Sequence, residues 1–83
     1  MIKVGICEDE KVCRESIAKL LEEYFTQRGI PYQLEEYESG QSFMEEKEKT
    51  DILLLDIEME GISGIQLKNW LWREDEDTKI VFV

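Results

Sequence analysis

The chain has 83 residues, a length that allows one small domain. Its 20 acidic residues outnumber its 10 basic ones, and the formal net charge is −10 with no histidine present. This balance argues against binding to nucleic acid or to an anionic membrane, and it favours cationic partners such as a metal ion or a basic protein surface. The opening "MIKVGICEDE" has too short an apolar stretch for a secretory signal, and no run approaches the roughly 18 apolar residues of a membrane span, so we expect a cytoplasmic protein.

The first half of the chain alternates between strand and helix patterns. Ile2 to Cys7 is a short β-branched run typical of a strand, and Lys11 to Arg28 has apolar residues at helical spacing. Gly29 and Pro31 are expected to end that helix. Tyr32 to Glu38 is a heavily charged strand pattern, of the kind found at the edge of a sheet.

The second half continues this alternation. A short helix is predicted around Phe43, and Ile52 to Leu55 is a continuous apolar run typical of a strand covered on both faces. A helix near Ile65 to Arg73 follows, and Lys79 to Val83 has the pattern of another buried strand.

The two cysteines do not form a recognisable redox or metal motif. Cys7 and Cys13 are six residues apart, which fits neither a C-x-x-C motif nor a zinc site. We expect both to be small buried apolar residues, Cys7 in the first strand and Cys13 on the apolar face of the following helix.

The order of elements predicts an α/β fold. Alternating strands and helices indicate a parallel sheet with helices on both faces, joined by right-handed crossovers. With the charged second strand at an edge, the predicted strand order is 2-1-3-4. Strands 1 and 3 then flank the topological switch point, where ligands bind at the carboxyl ends of the strands.

Acidic residues follow both of these strands. Glu8 and Asp9 come after strand 1, and Asp56 comes after strand 3, so we expect three carboxylates to converge. Like charges packed this closely repel one another unless a cation lies between them, and oxygen-only ligands are typical of Mg²⁺. Two simpler interpretations stay open: Glu8 and Asp9 as favourable acids at a helix N-terminus, and Asp56 as a turn residue.

Three segments together resemble a known family. The acidic pair in "ICEDE", the aspartate that closes "DILLLD" and the loop "GISG" are similar to the N-terminal part of a bacterial response-regulator receiver domain, which is CheY-like and flavodoxin-like in fold. The resemblance implies that Asp56 accepts a phosphoryl group from the phosphohistidine of a sensor histidine kinase. It also implies that Mg²⁺ is bound by Asp9 directly, by Glu8 through water, by Asp56, and by Glu58 through its backbone carbonyl. Such a domain is a signalling module and not an enzyme.

Some features depart from the family pattern. Glu60 stands where such receivers usually have proline, and Ser63 stands where many have an acid, a position in which serine suits a helix N-cap. The family places a hydroxyl residue after the fourth strand and a lysine after the fifth. We therefore expect residues 1–83 to be an incomplete receiver domain that is truncated before the fifth strand and lacks the fourth and fifth helices. The exposed edge of strand 4 is then expected to form a homodimer.

The resemblance extends to regulators with a LytTR-type output domain, which would contact DNA in place of this chain. Two other functions stay open at this stage. One is a phosphohydrolase of the haloacid-dehalogenase type, whose second acid would be an aspartate where this chain has Glu58. The other is a non-catalytic interaction module.

Overall fold

The structure is a computed structural model that describes residues 1–46, 49–74 and 77–83. Strands and helices alternate along these residues as the sequence predicts, and their ends lie within two residues of the predicted ones. The elements are β1 (Ile2–Cys7), α1 (Lys11–Arg28), β2 (Tyr32–Tyr37), α2 (Gly40–Glu45), β3 (Ile52–Leu55), α3 (Gly64–Glu74) and β4 (Lys79–Phe82).

The four strands form one parallel sheet in the order β2-β1-β3-β4. The predicted α/β fold and strand order are therefore confirmed, and the charged strand β2 lies at an edge. In the register between β1 and β3, Cys7 is opposite Leu55. Both strands consequently end at the same level, and the residues that follow them are neighbours.

Helix α1 ends where the sequence predicts. Gly29 has a φ angle of 62°, which an L-residue with a side chain rarely adopts. Its N–H donates to the carbonyl of Thr26, and the N–H of Ile30 donates to that of Phe25. These bonds satisfy carbonyl groups of the last helical turn.

The hydrophobic core lies between the sheet and helices α2 and α3. Leu53 and Leu55 of β3 point to this side, where Phe43 of α2 and Leu67 and Leu71 of α3 cover them. All five side chains are at most 1% exposed. This packing holds β3, and with it the start of the loop that carries Asp56, in a fixed position.

The opposite face, next to α1, is less completely covered. Apolar residues of α1, including Leu20, line a groove of about 430 Å³ together with Ile52 and Leu54 of β3 and Val81 of β4. The prediction of a buried fourth strand is wrong, since Val81 is 47% and Phe82 is 37% exposed. The apolar pattern of this strand is that of an interior strand, but β4 occupies an edge of the sheet.

The prediction that Cys13 is buried is also wrong. Cys7 is buried, whereas Cys13 is exposed. Cys13 and Leu20 are seven residues apart and so lie on the same side of α1. That side borders the groove, where Leu20 is itself 66% exposed.

Candidate functional site

The ends of β1 and β3 bring three carboxyl groups together. Glu8 and Asp9 follow β1 and Asp56 follows β3, and each offers one oxygen that lies within 4.8 Å of the other two. Glu8 is buried, Asp56 is half-buried and Asp9 is exposed. We call these three residues the acidic cluster.

Backbone hydrogen bonds continue beyond the strands and hold the cluster. The N–H of Asp56 donates to the carbonyl of Cys7 at 3.1 Å, and the N–H of Glu8 donates to the carbonyl of Tyr37 at 3.1 Å. The cluster is therefore attached to the sheet at two adjacent strands, in a position that the parallel register determines.

The acids of the cluster repel one another. Burial of Glu8, its hydrogen bond with Asp56 and the negative charges of Asp56 and Asp9 together raise the pKa of Glu8 from 4.5 to about 7. Without a cation, protonation of Glu8 reduces the repulsion. A bound cation would do the same at a pH where that proton is lost.

The loop after β3 folds back over the cluster. The N–H of Glu60 donates to Oδ2 of Asp9 at 3.3 Å, and the N–H of Glu58 donates to Oδ1 of Asp56 at 3.3 Å. Glu58 is thus brought beside Asp56, and the role of its carbonyl as a ligand stays a prediction. Glu60, Asp9 and the acids Glu10 and Glu38 also border an open cavity of about 570 Å³.

The start of α3 lies directly against Asp56. A Cβ atom at Gly64 would be 2.1 Å from the carbonyl oxygen of Asp56, so only glycine fits there. The N–H of Gly64 also donates to the carbonyl of Ile57 at 2.9 Å. Ser63 caps this helix as predicted, since its Oγ accepts from the N–H of Gln66 and Oε1 of Gln66 accepts from the N–H of Ser63.

The donor atoms of the cluster suit a hard divalent cation. All three side chains offer carboxylate oxygen, which Mg²⁺ and Ca²⁺ prefer. Cys7 lies beneath the cluster, where burial and the nearby carboxylates raise the pKa of its thiol to about 12. The thiol therefore stays protonated, and it contacts Sδ of Met59 at 3.7 Å. The chemistry of this site favours Mg²⁺ over a metal that binds thiolate.

Arg14 also contributes to the site, although the sequence patterns did not indicate it. Its Nη1 donates to the carbonyl of Glu8 at 2.8 Å, and its Nε lies 3.6 Å from Oε1 of Glu36. A basic residue in the first helical turn after an acidic pair is the signal that could have identified this contact.

Comparison with known proteins identifies the family. The model of the response regulator receiver domain matches residues 4–83. The chain belongs to the response regulator receiver family. A search of curated proteins finds no match for this receiver domain.

Solved structures share the receiver fold. The response regulator TrrA of Thermotoga maritima, in complex with Mg²⁺-BeF, has a TM-score of 0.85 and 27% identity over 99% of this chain and 68% of that one. The N-terminal domain of a response regulator/sensory box/GGDEF protein of Carboxydothermus hydrogenoformans has a TM-score of 0.79 and 28% identity over 96% of this chain and 62% of that one. Chemotaxis protein CheY4 of Vibrio cholerae has a TM-score of 0.80 and 19% identity over 99% and 67% of the two chains.

In the receiver domain, the acidic cluster lies at the carboxyl ends of β1 and β3, the place that the strand order predicts. Within the described residues, no helix is long and apolar enough to cross a membrane. The expected cytoplasmic location and the similarity to LytTR-type regulators stay predictions, as does the expectation that residues 1–83 are an incomplete receiver domain.

Proposed function

We propose that this receiver domain accepts a phosphoryl group on Asp56 from the phosphohistidine of a sensor histidine kinase, with Mg²⁺ bound at the acidic cluster. The observation that supports the proposal is the approach of three carboxyl oxygens, from two separate strands, to within 4.8 Å of one another. A surface without a cation-dependent role gains no stability from such an arrangement, because the like charges repel.

The proposed reaction is a single transfer. A carboxylate oxygen of Asp56 attacks phosphorus in line, the bond from phosphorus to the histidine nitrogen breaks, and an acyl phosphate forms on Asp56. The histidine nitrogen retains the electron pair of the broken bond. Bound Mg²⁺ supplies positive charge that offsets repulsion between the anionic nucleophile and the anionic donor.

The chain's own residues prepare this step. The N–H of Glu58 donates to one oxygen of Asp56 at 3.3 Å, which orients the carboxylate. Glu8 and Asp9 are the side chains that would hold the ion beside it, and the carbonyl of Glu58 is the proposed backbone ligand. The domain acts in this proposal as a signalling module that is itself modified.

Mg²⁺ binding is the first test. At tens of millimolar Mg²⁺, a site with a millimolar Kd raises the free energy of unfolding by about 1 to 2 kcal/mol. Replacing Asp56→Asn should remove most of this gain and stabilise the metal-free protein, because one repelling charge is lost. Asp51→Asn is the matched control at the opposite end of β3. A free energy of unfolding that does not respond to Mg²⁺ would contradict the metal site.

Beryllium fluoride with Mg²⁺ is the second test, since it occupies the phosphoryl position on a receiver aspartate. We expect amide chemical shifts at residues 8–9 and 56–64 to change in the wild-type chain and in Asp51→Asn, but not in Asp56→Asn. Equal responses of the two variants would contradict Asp56 as the acceptor, and no response of the wild-type chain would favour a non-catalytic interaction module.

We also propose a second copy of the chain as a partner at the β4 edge. The support is the position of β4 at the edge of the sheet and the exposure of Val81, Phe82 and Val83, which are 47%, 37% and 52% exposed. Two such edges brought together by a two-fold axis would cover each other.

A further inference from the structure

Arg14 occupies an unfavourable place for a cation. It lies in the first turn of α1, where the N–H groups of the helix carry partial positive charge. Its side chain is nevertheless only 15% exposed, and Nη1 donates to the carbonyl of Glu8 at 2.8 Å. A charged donor at this distance makes one of the stronger hydrogen bonds in proteins, which offsets the unfavourable position.

The same guanidinium group contacts the edge strand. Its Nε lies 3.6 Å from Oε1 of Glu36 in β2. The next residue of β2 is Tyr37, whose carbonyl accepts the N–H of Glu8 at 3.1 Å. Glu8 is therefore held at its N–H by β2 directly and at its carbonyl by Arg14, which β2 holds in turn.

This double attachment determines where both acids of the β1 end lie. The carbonyl of Glu8 and the N–H of Asp9 belong to one planar peptide group, so a bond to the carbonyl orients the whole group. The N–H of Asp9 in turn donates to Oε2 of Glu8 at 3.1 Å. The peptide between Glu8 and Asp9 thus links the guanidinium of Arg14 to a carboxyl oxygen of Glu8.

We propose that Arg14 is a positioning residue, which holds the Glu8–Asp9 peptide so that both carboxylates face Asp56 and can bind a divalent cation. This inference rests on the proposed function, because it concerns the metal affinity of the same cluster. Groups that orient metal ligands typically change metal affinity about 10-fold or more when they are removed.

The sign of the effect separates positioning from simple charge. Removing a positive charge near three carboxylates makes the site more negative, and electrostatics alone would then strengthen Mg²⁺ binding. Loss of positioning weakens it. We expect Arg14→Ala to raise the Kd for Mg²⁺ about 10-fold.

Lys11 offers the matched control. It lies in the same turn and carries the same charge, but its exposed side chain contacts Glu15 at 3.9 Å. Lys11→Ala should therefore leave the Kd unchanged or lower it about twofold or less. Arg14→Lys keeps the charge with a single donor group and should lie between wild type and Arg14→Ala.

The measurement is an NMR titration of the 83-residue chain with MgCl₂, in which amide spectra also report whether each variant is folded. A Kd for folded Arg14→Ala that equals or falls below the wild-type value would overturn the proposal while leaving the proposed function intact. If Arg14→Ala does not fold, Arg14→Lys decides, because it keeps the positive charge: wild-type affinity would overturn the proposal, and weaker binding would support it.

Hydrogen exchange tests the positioning without a metal. The amides of Glu8 and Asp9 should exchange faster in Arg14→Ala than in Lys11→Ala, because only the first variant frees the Glu8 carbonyl. If wild type shows no Mg²⁺ binding, the proposed function fails, and this exchange comparison alone decides the role of Arg14. Equal exchange rates in the two variants would contradict it.

Discussion

Acidification should stabilise the metal-free domain, with Glu8 as the main cause. The pKa of Glu8 is raised from 4.5 to about 7 in the folded protein. Each pKa unit corresponds to about 1.4 kcal/mol, so ionised Glu8 costs the folded state about 3 kcal/mol. Because the folded state keeps a proton that the unfolded chain releases, this stability is fully present below pH 4.5 and is lost as the pH rises through about 7.

The assay is urea unfolding in EDTA at a series of pH values from 4.5 to 8. The variant Glu8→Gln keeps the shape of the side chain and cannot ionise, so its free energy of unfolding should change much less over this range. Glu23→Gln, an exposed acid of α1, controls for the general relief of charge in a chain of net charge −10. A wild-type stability that rises with pH, or a Glu8→Gln variant with the wild-type slope, would refute this account. Mg²⁺ should restore the stability at pH 8.

Gly64→Ala should lower the free energy of unfolding by about 2 kcal/mol or more, since its Cβ would meet the Asp56 carbonyl. Gly29→Ala, where no described atom lies within 4 Å, should cost about 1 kcal/mol from backbone strain alone; equal losses in urea unfolding would contradict the contact. Glu60→Gln should strengthen beryllium fluoride binding about threefold by removing a charge from the cavity that Glu60 and Asp9 border; an NMR titration that shows an unchanged Kd would contradict an effect of this charge. Sedimentation should show Val81→Lys shifted towards monomer or unfolded chain; a compact wild-type monomer at all concentrations would exclude dimerisation through β4.

Much of the fold could be predicted because local patterns and topology agree. The charged residues of β2 indicated an edge strand, and the apolar run from Ile52 to Leu55 indicated a central one. Burial on the α1 face was not predictable in the same way. Cys13 and Val81 have apolar side chains in regular elements, but their exposure depends on which other element covers that side of the sheet.

The candidate site was likewise predictable only in part. The convergence of Glu8, Asp9 and Asp56 follows from strand order, because neighbouring parallel strands end at the same side of a sheet. The contact of Arg14 with Glu8 depends on the direction of one long side chain across a helical turn. The lack of room for a Cβ atom at Gly64 depends on how closely a helix packs on a loop, and spacing in the sequence does not contain that information.

The parallel register also affects how the chain folds. β1 is synthesised before both of its neighbours, since Val4 pairs with Leu34 on one side and with Ile52 on the other. Both pairings close long loops, so β1 can pair on both sides only after much of the chain has been synthesised, and we expect folding to be slow for a domain of this size. Glu8 and Asp9 meet Asp56 only after β3 has joined the sheet. A cation that binds all three residues therefore stabilises the assembled sheet and gives no comparable advantage to a nascent chain that has made only β1, α1 and β2.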